Sequence, residues 1–323
     1  MSLKSHICAL TAALAALAAR SVWAADAGSG PAEKLAEVTV TARRLDLTPR
    51  VEKFVTQIAA AENGGEGLAR WQLPPVCPLV SGLPRRDGEF ILERVSEIAR
   101  GAGVPLADEH CHPNLYVLVT DQPEDLLRGM EKRNRAYTFG FDASFYPPIE
   151  TPAGVVDAFI TTPRAVRVWY SSAEKDAWGK PLGYCPASEL FSQCVTNPHS
   201  PACDPTQYYR CGSAVAGGTH LQFNTLWTFS RVFVIVDSTH LHGVQLGQLA
   251  DYVAMTGLAK LKPGAQLGDA PTILKLFDGA PRDAPAGLTE WDQTFLKSLY
   301  ATDQKSHLQR TQIARAMVRE IIP

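Results

Sequence analysis

Arg231-Val232-Phe233-Val234-Ile235-Val236-Asp237 is the stretch on which the fold turns. An unbroken apolar run of this length, closed by an aspartate, reads as a buried strand. Leu115 to Val119 is a second such run. Upstream of it, Val76 to Val80 is a short apolar segment, and Asp87 caps a helix with Ile91, Val95 and Ile98 on one face. Gly101 and Gly103 stop that helix. Strand, helix and buried strand in this order predict a βαβ-like layer. Asp121 starts a further helix holding Leu126, Leu127 and Met130, and Ala165 to Tyr170 alternates as a strand. The expected fold class is α+β, a mixed sheet with packed helices.

Further out, the 136–163 segment mixes aromatics with Pro147, Pro148, Pro152 and Pro163 and reads mostly as loop. A strand is expected at His220 to Phe223. Toward the C-terminus the pattern is helical. Leu246, Leu249 and Val253 form one stripe closed by Gly257, and Thr289 caps a helix with Asp292 placed for a capping box. A last helix from about Ser306 carries Ile313, Ala316 and Met317. At the other end Val51, Phe54, Val55 and Ile58 recur at i, i+3, i+4 and i+7, after a cap and first-turn signal at Thr48-Pro49. The domain is expected over 48–323.

The first 24 residues have the pattern of an export leader. Lys4 precedes an Ala-rich apolar run from Ile7 to Ala19, and Val22-Trp23-Ala24 offers a cleavage site. That run falls well short of the roughly 20 residues needed to span a bilayer. The expected location is periplasmic or secreted. Lys4 and Arg20 leave with the leader, so 29 basic residues face 33 acidic ones, a net charge of −4. No basic surplus favours nucleic acid or an anionic membrane, and no mature segment reads as a membrane span.

Cysteine usage agrees with export. Cys77, Cys111, Cys185, Cys194, Cys203 and Cys211 remain after cleavage, an even set that reads as about three disulfides. Four of them crowd into a Pro- and Gly-punctuated insert at 171–218, while Cys77 and Cys111 stand apart. Cys77 on the first strand and Cys111 just before the second are therefore paired, and the other four are left to pair among themselves. Disulfides would staple an insert otherwise too long for a compact domain. A zinc cluster is the rival use of these sulfurs, but no C-x-x-C spacing occurs.

The order of strand 231–237 and the helix after it resembles the zincin metallopeptidase layout. Gly247-Gln248-Leu249-Ala250-Asp251-Tyr252, Phe277-Asp278, Leu288-Thr289-Glu290-Trp291-Asp292 and Leu296 to Tyr300 are similar to uncharacterised exported bacterial proteins with a zincin-like C-terminal half. Such a site needs two His one helical turn apart and a Glu beside the first. The resemblance puts Gln248, Leu249 and Tyr252 at those positions, which implies a relative without zinc ligands and no cofactor. His240 and His242 are the remaining metal candidates. In extended chain they would face the same way, with Asp237 or Asp251 as carboxylate partner, and zinc hydrolysis is the alternative function they carry.

Other catalytic chemistry lacks its motifs. G-x-S-x-G, G-x-x-x-x-G-K-[ST] and a G-x-G-x-x-G after a strand are all absent. Residues 25–47 read as a flexible tether containing a strand-like segment, Glu37-Val38-Thr39-Val40-Thr41-Ala42-Arg43-Arg44. This segment looks like the TonB-box of outer-membrane transporters, which works by strand addition, so residues 37–44 are the expected contact for an envelope protein. The sequence favours a non-enzymatic binding or accessory protein of the cell envelope, with a TonB-linked role as a further alternative.

Overall fold

A computed structural model of the chain describes residues 31–62, 65–142, 149–176, 183–186, 208–211 and 225–322. Four strands make one mixed sheet: β1 (Pro78–Ser81), β2 (Leu115–Thr120), β5 (Val166–Asp176) and β8 (Thr225–Asp237), in the order β1-β2-β8-β5. β1 and β2 run parallel from Pro78 opposite Leu115, and β2 and β8 run parallel from Leu115 opposite Val232. β5 closes the sheet antiparallel to β8, with a bulge between Ser171 and Ser172. Helix α2 (Arg85–Gly101) links β1 to β2, so the βαβ unit expected from the sequence is present. Two short pairs complete the strands: β3 (Phe141–Asp142) with β4 (Ile149–Glu150), and β6 (Gly183–Pro186) with β7 (Tyr208–Cys211).

Both faces of the sheet are covered, which is why β8 is apolar without alternation. Val232, Val234 and Val236 face the larger core, and Phe233 and Ile235 face the smaller one. The larger core is built by helix α1 (Pro31–Ile58) through Val51, Phe54, Val55 and Ile58, and by α2 through Ile91, Val95 and Ala99. Helices α5 (Leu246–Leu258), α6 (Glu290–Ala301) and α7 (Gln309–Ile321) complete it. On the other face α3 (Pro123–Phe139) and α4 (Ala153–Thr161) bring Leu127, Phe139, Val156 and Ile160. Gly257 lies inside α5 and does not end it. A Cβ there would come within 3.0 Å of Leu115 Cδ1, so the glycine permits helix and sheet to approach.

Several local expectations are corrected. Residues 37–44, read as strand-like, are helical, as part of α1. An alternating segment needs a neighbouring strand for its N–H and C=O groups, and none pairs with it among the described residues, whereas a helix satisfies them internally. Thr48-Pro49 lies within the helix and does not start it. The Thr48 hydroxyl donates to the Arg44 carbonyl at 2.7 Å, and Pro49 costs one bond at Leu45, whose side chain is exposed. By contacts the chain divides at Ala42/Arg43, residues 43–323 forming the larger unit. The supposed loop at 136–163 contains α4, because Pro152 and Pro163 bracket a helix instead of breaking one. Asp87 lies in the first turn of α2, after Pro84 at the cap.

Other features match. Thr289 and Asp292 form the capping box at α6. Cys77 and Cys111 are joined, their Cα atoms 6.1 Å apart, at the entrance to β1 and β2. Asn114 reinforces that entrance by accepting the Cys77 N–H at 2.7 Å. Backbone pairing of β6 with β7 sets Cys185 opposite Tyr209 and Cys211 opposite Gly183. Cys194, Cys203 and the strand expected at His220 to Phe223 lie outside the described residues, as do the leader and most of the insert. Among the described residues no helix is long and apolar enough to cross a membrane.

Candidate functional site: a cleft beside β5

A cleft of about 900 Å3 runs beside β5. Val166, Val168, Trp169 and Tyr170 of β5 form its base, and Val155 and Phe159 of α4 form one wall. The opposite wall is Tyr252 of α5 with the chain from Lys260 to Ala265, ending at Phe277 and Asp278. A mostly apolar, aromatic concavity with few polar groups has the character of a ligand site.

Two hydroxyls set its shape. Tyr170 donates to the Thr256 carbonyl at 2.8 Å and accepts the Leu261 N–H at 3.4 Å, which ties the 260s segment to the sheet. Burial pushes the Tyr170 phenol well above its ordinary range. Tyr252 stands edge-on to Phe277, ring centres 5.0 Å apart. Burial pushes its phenol up to about 12; Asp278 adds to the rise and Arg164 opposes it. The Tyr252 side chain is a neutral donor at any ordinary pH, set among apolar walls.

The rim is charged. Lys260 pairs with the buried Glu62 at 2.7 Å, and Glu62 also accepts the Ser172 hydroxyl at 2.8 Å. Lys262 donates to the Thr56 carbonyl at 2.8 Å, so its charge meets no carboxylate there. Arg164 and Asp278 are both exposed at the other end.

His240 lines this cleft and His242 does not. The extended chain that would have aligned them is absent: Ser238–His240 is a 3-10 turn and residues 242–243 form another turn. Asp237 caps the first turn by accepting the N–H of Thr239 at 3.0 Å, and its other oxygen lies 3.3 Å from His240 Nδ1. Burial of Asp237 raises its pKa, but the Thr239 hydroxyl and N–H, His240 and Arg167 outweigh it and hold the carboxyl below its usual range. Asp251 is not near this pair. It takes a two-point contact from Arg94, at 2.6 and 3.2 Å, and accepts the Leu288 N–H at 2.6 Å. Among the described residues no three His, Cys, Asp or Glu side chains group as a metal site.

The zincin-matching positions are occupied by structural residues. Gln248 is buried; its amide donates to Pro281 and Pro285 carbonyls at 3.2 and 2.9 Å, and its oxygen accepts the Gln245 N–H at 3.1 Å. Leu249 packs in the larger core. Only Tyr252 opens onto the cleft. None of the three offers the imidazole or carboxylate a catalytic zinc requires, so these positions do not fit the metal. No family model matches the chain, and no curated protein or solved structure matches it.

The cleft itself was not foreseen from the sequence. Its walls come from α4, β5, α5 and the segment from Lys260 to Asp278, each read separately as core or loop. The available signal was the alternation of Val166, Val168 and Tyr170, which marked β5 but not its position at a sheet edge.

Proposed function

We propose that the protein is an exported, periplasmic or secreted, non-enzymatic binding factor of the bacterial cell envelope, and that its ligand occupies the cleft beside β5. The cleft carries this reading: it joins aromatic walls to a phenol held neutral and to cations at both ends. Support against hydrolysis comes from how the side chains are used. Gln248 and Asp251 are committed to bonds that hold α5 to its neighbours, and His240 is turned away from an alignment with His242. The disulfide between Cys77 and Cys111 and the leader-like first 24 residues are consistent with export. Docking through residues 37–44 by strand addition would require that helix to unwind first.

The test uses the full chain expressed with its own leader, recovered from the periplasm and titrated with an anilinonaphthalene sulfonate dye. Saturable dye fluorescence, abolished by Val168→Arg in a chain that keeps its melting transition, is expected. Stoichiometric zinc in the purified protein, with peptide hydrolysis lost in His240→Ala, would replace this reading by the hydrolase that His240 and His242 would serve.

A further inference from the structure

β5 is the outer strand of the four-stranded sheet, and its free edge is the base of the cleft. The hydrogen-bond phase of that edge follows from the register. The Asp237 N–H donates to the Ala165 carbonyl at 2.9 Å, and the pairing continues as Val166 opposite Val236 and Arg167 opposite Ile235. In an antiparallel ladder, pairs that exchange bonds alternate with pairs that do not. Arg167 and Trp169 therefore turn their N–H and C=O toward β8, while Val166, Val168 and Tyr170 turn theirs outward into the cleft. Among the described residues no backbone or side chain bonds those outward groups. A row of unused backbone donors and acceptors, walled on both sides by apolar side chains, is the setting for an added strand.

Charge narrows the occupant. Arg164 stands just before β5 begins, and Lys262 adjoins Leu261, which the Tyr170 hydroxyl holds at the other end of the edge. Neither is in an ion pair with a described carboxylate; Lys260 is already neutralised by Glu62, and Asp278, at the Arg164 end, is the lone acid among the described lining residues. We propose that the ligand is an extended peptide segment, acidic at both ends, that adds to the sheet beside β5 by pairing with Val166, Val168 and Tyr170. This inference rests on the reading of the cleft as the binding site. Side chains of such a strand alternate between the α4 wall and the Tyr252 wall, so small or branched apolar residues suit its middle.

The experiment is a titration of the full oxidised chain with a labelled six-residue peptide, valine at alternate central positions and glutamate at both ends, followed by fluorescence anisotropy and by displacement of the anilinonaphthalene dye. Saturable binding that displaces the dye is expected. Methylating the peptide's edge-facing amide nitrogens should weaken it about tenfold or more, since each lost bond leaves an unpaired group. Exchanging glutamate for lysine, or introducing Arg164→Glu with Lys262→Glu, should weaken it roughly tenfold. Val168→Pro removes only an outward N–H, leaving the β8 ladder intact, and should abolish binding without loss of the fold. If that variant does not fold, the methylated peptide tests the same bond. Dye binding with no peptide binding, or equal affinity for the methylated peptide, would overturn strand addition while leaving the cleft a binding site. Failure of the dye as well would remove the underlying reading.

Discussion

Replacing Cys77 and Cys111 together by alanine tests what the cross-link at the sheet entrance contributes. The two residues are 34 apart in sequence, and a closed loop of that length restricts the unfolded chain by about 4 kcal/mol. Loss of the buried Cys77 sulfur adds at most about 1 kcal/mol of packing. The fold should survive, because Asn114 remains: its oxygen accepts the Cys77 backbone N–H, its amide donates to Pro75 at 2.9 Å, and its own N–H reaches the Cys77 carbonyl at 3.0 Å. The expected result is therefore a folded chain whose stability falls by about 4 to 5 kcal/mol and whose melting temperature falls by roughly 8 °C or more. Urea unfolding followed by tryptophan fluorescence measures this, and the slope should steepen because the released chain exposes more surface. Adding reductant to the variant isolates what the other four cysteines contribute. A loss below about 1 kcal/mol, in a comparison where mass spectrometry shows the parent oxidised at these two sulfurs, would refute the loop-entropy account. Recovery of an uncleaved Met1 form, with Cys8 and the six later cysteines all free thiols, would refute the expectation of export as well.

Further outcomes follow from single contacts. Gly82 has a φ of +91° and a Cβ there would lie 1.9 Å from the Val119 carbonyl oxygen, so Gly82→Ala should cost roughly 3 kcal/mol or more in urea unfolding. Asp251→Ala leaves the half-exposed Arg94 and the Leu288 N–H without their acceptor and should cost about 2 kcal/mol, while Asp251→Asn, which keeps an acceptor for Leu288, should cost less. Equal losses in the two variants would deny Leu288 that role. Asp237 has a depressed pKa when folded, so its stabilisation is complete above the ordinary carboxylate range and is lost as pH falls through the folded value. Asp237→Asn should flatten the decline in melting temperature below about pH 4, and an acid limb identical to the parent would contradict that assignment.

Faces of regular elements were legible in the sequence. Val51, Phe54, Val55 and Ile58 are all buried, as the helical spacing requires, and the 115–119 and 231–237 runs are the two central strands. The capping box at Thr289 and Asp292 was legible for the same reason, being a contact across three residues. Proline misled in two ways: Pro152 and Pro163 bound a helix where a loop was expected, and Pro49 lies inside α1 where a helix start was expected. The candidate site was scarcely legible. His240 reached the cleft and His242 did not, because one 3-10 turn replaced the extended chain assumed between strand and helix.

By itself the sequence determined the α+β class, the buried strands, the amphipathic helices and the pairing of Cys77 with Cys111, since each depends on periodicity or spacing that the chain carries locally. Only the tertiary structure decided that β5 lies at the edge, that Asp251 serves Arg94 from 157 residues away, and that a cleft opens where four segments meet. Helix 37–44 belongs with these. Alternating β-branched residues state a preference for the extended chain, and that preference yields here, where no strand among the described residues stands alongside to take up the backbone's hydrogen bonds.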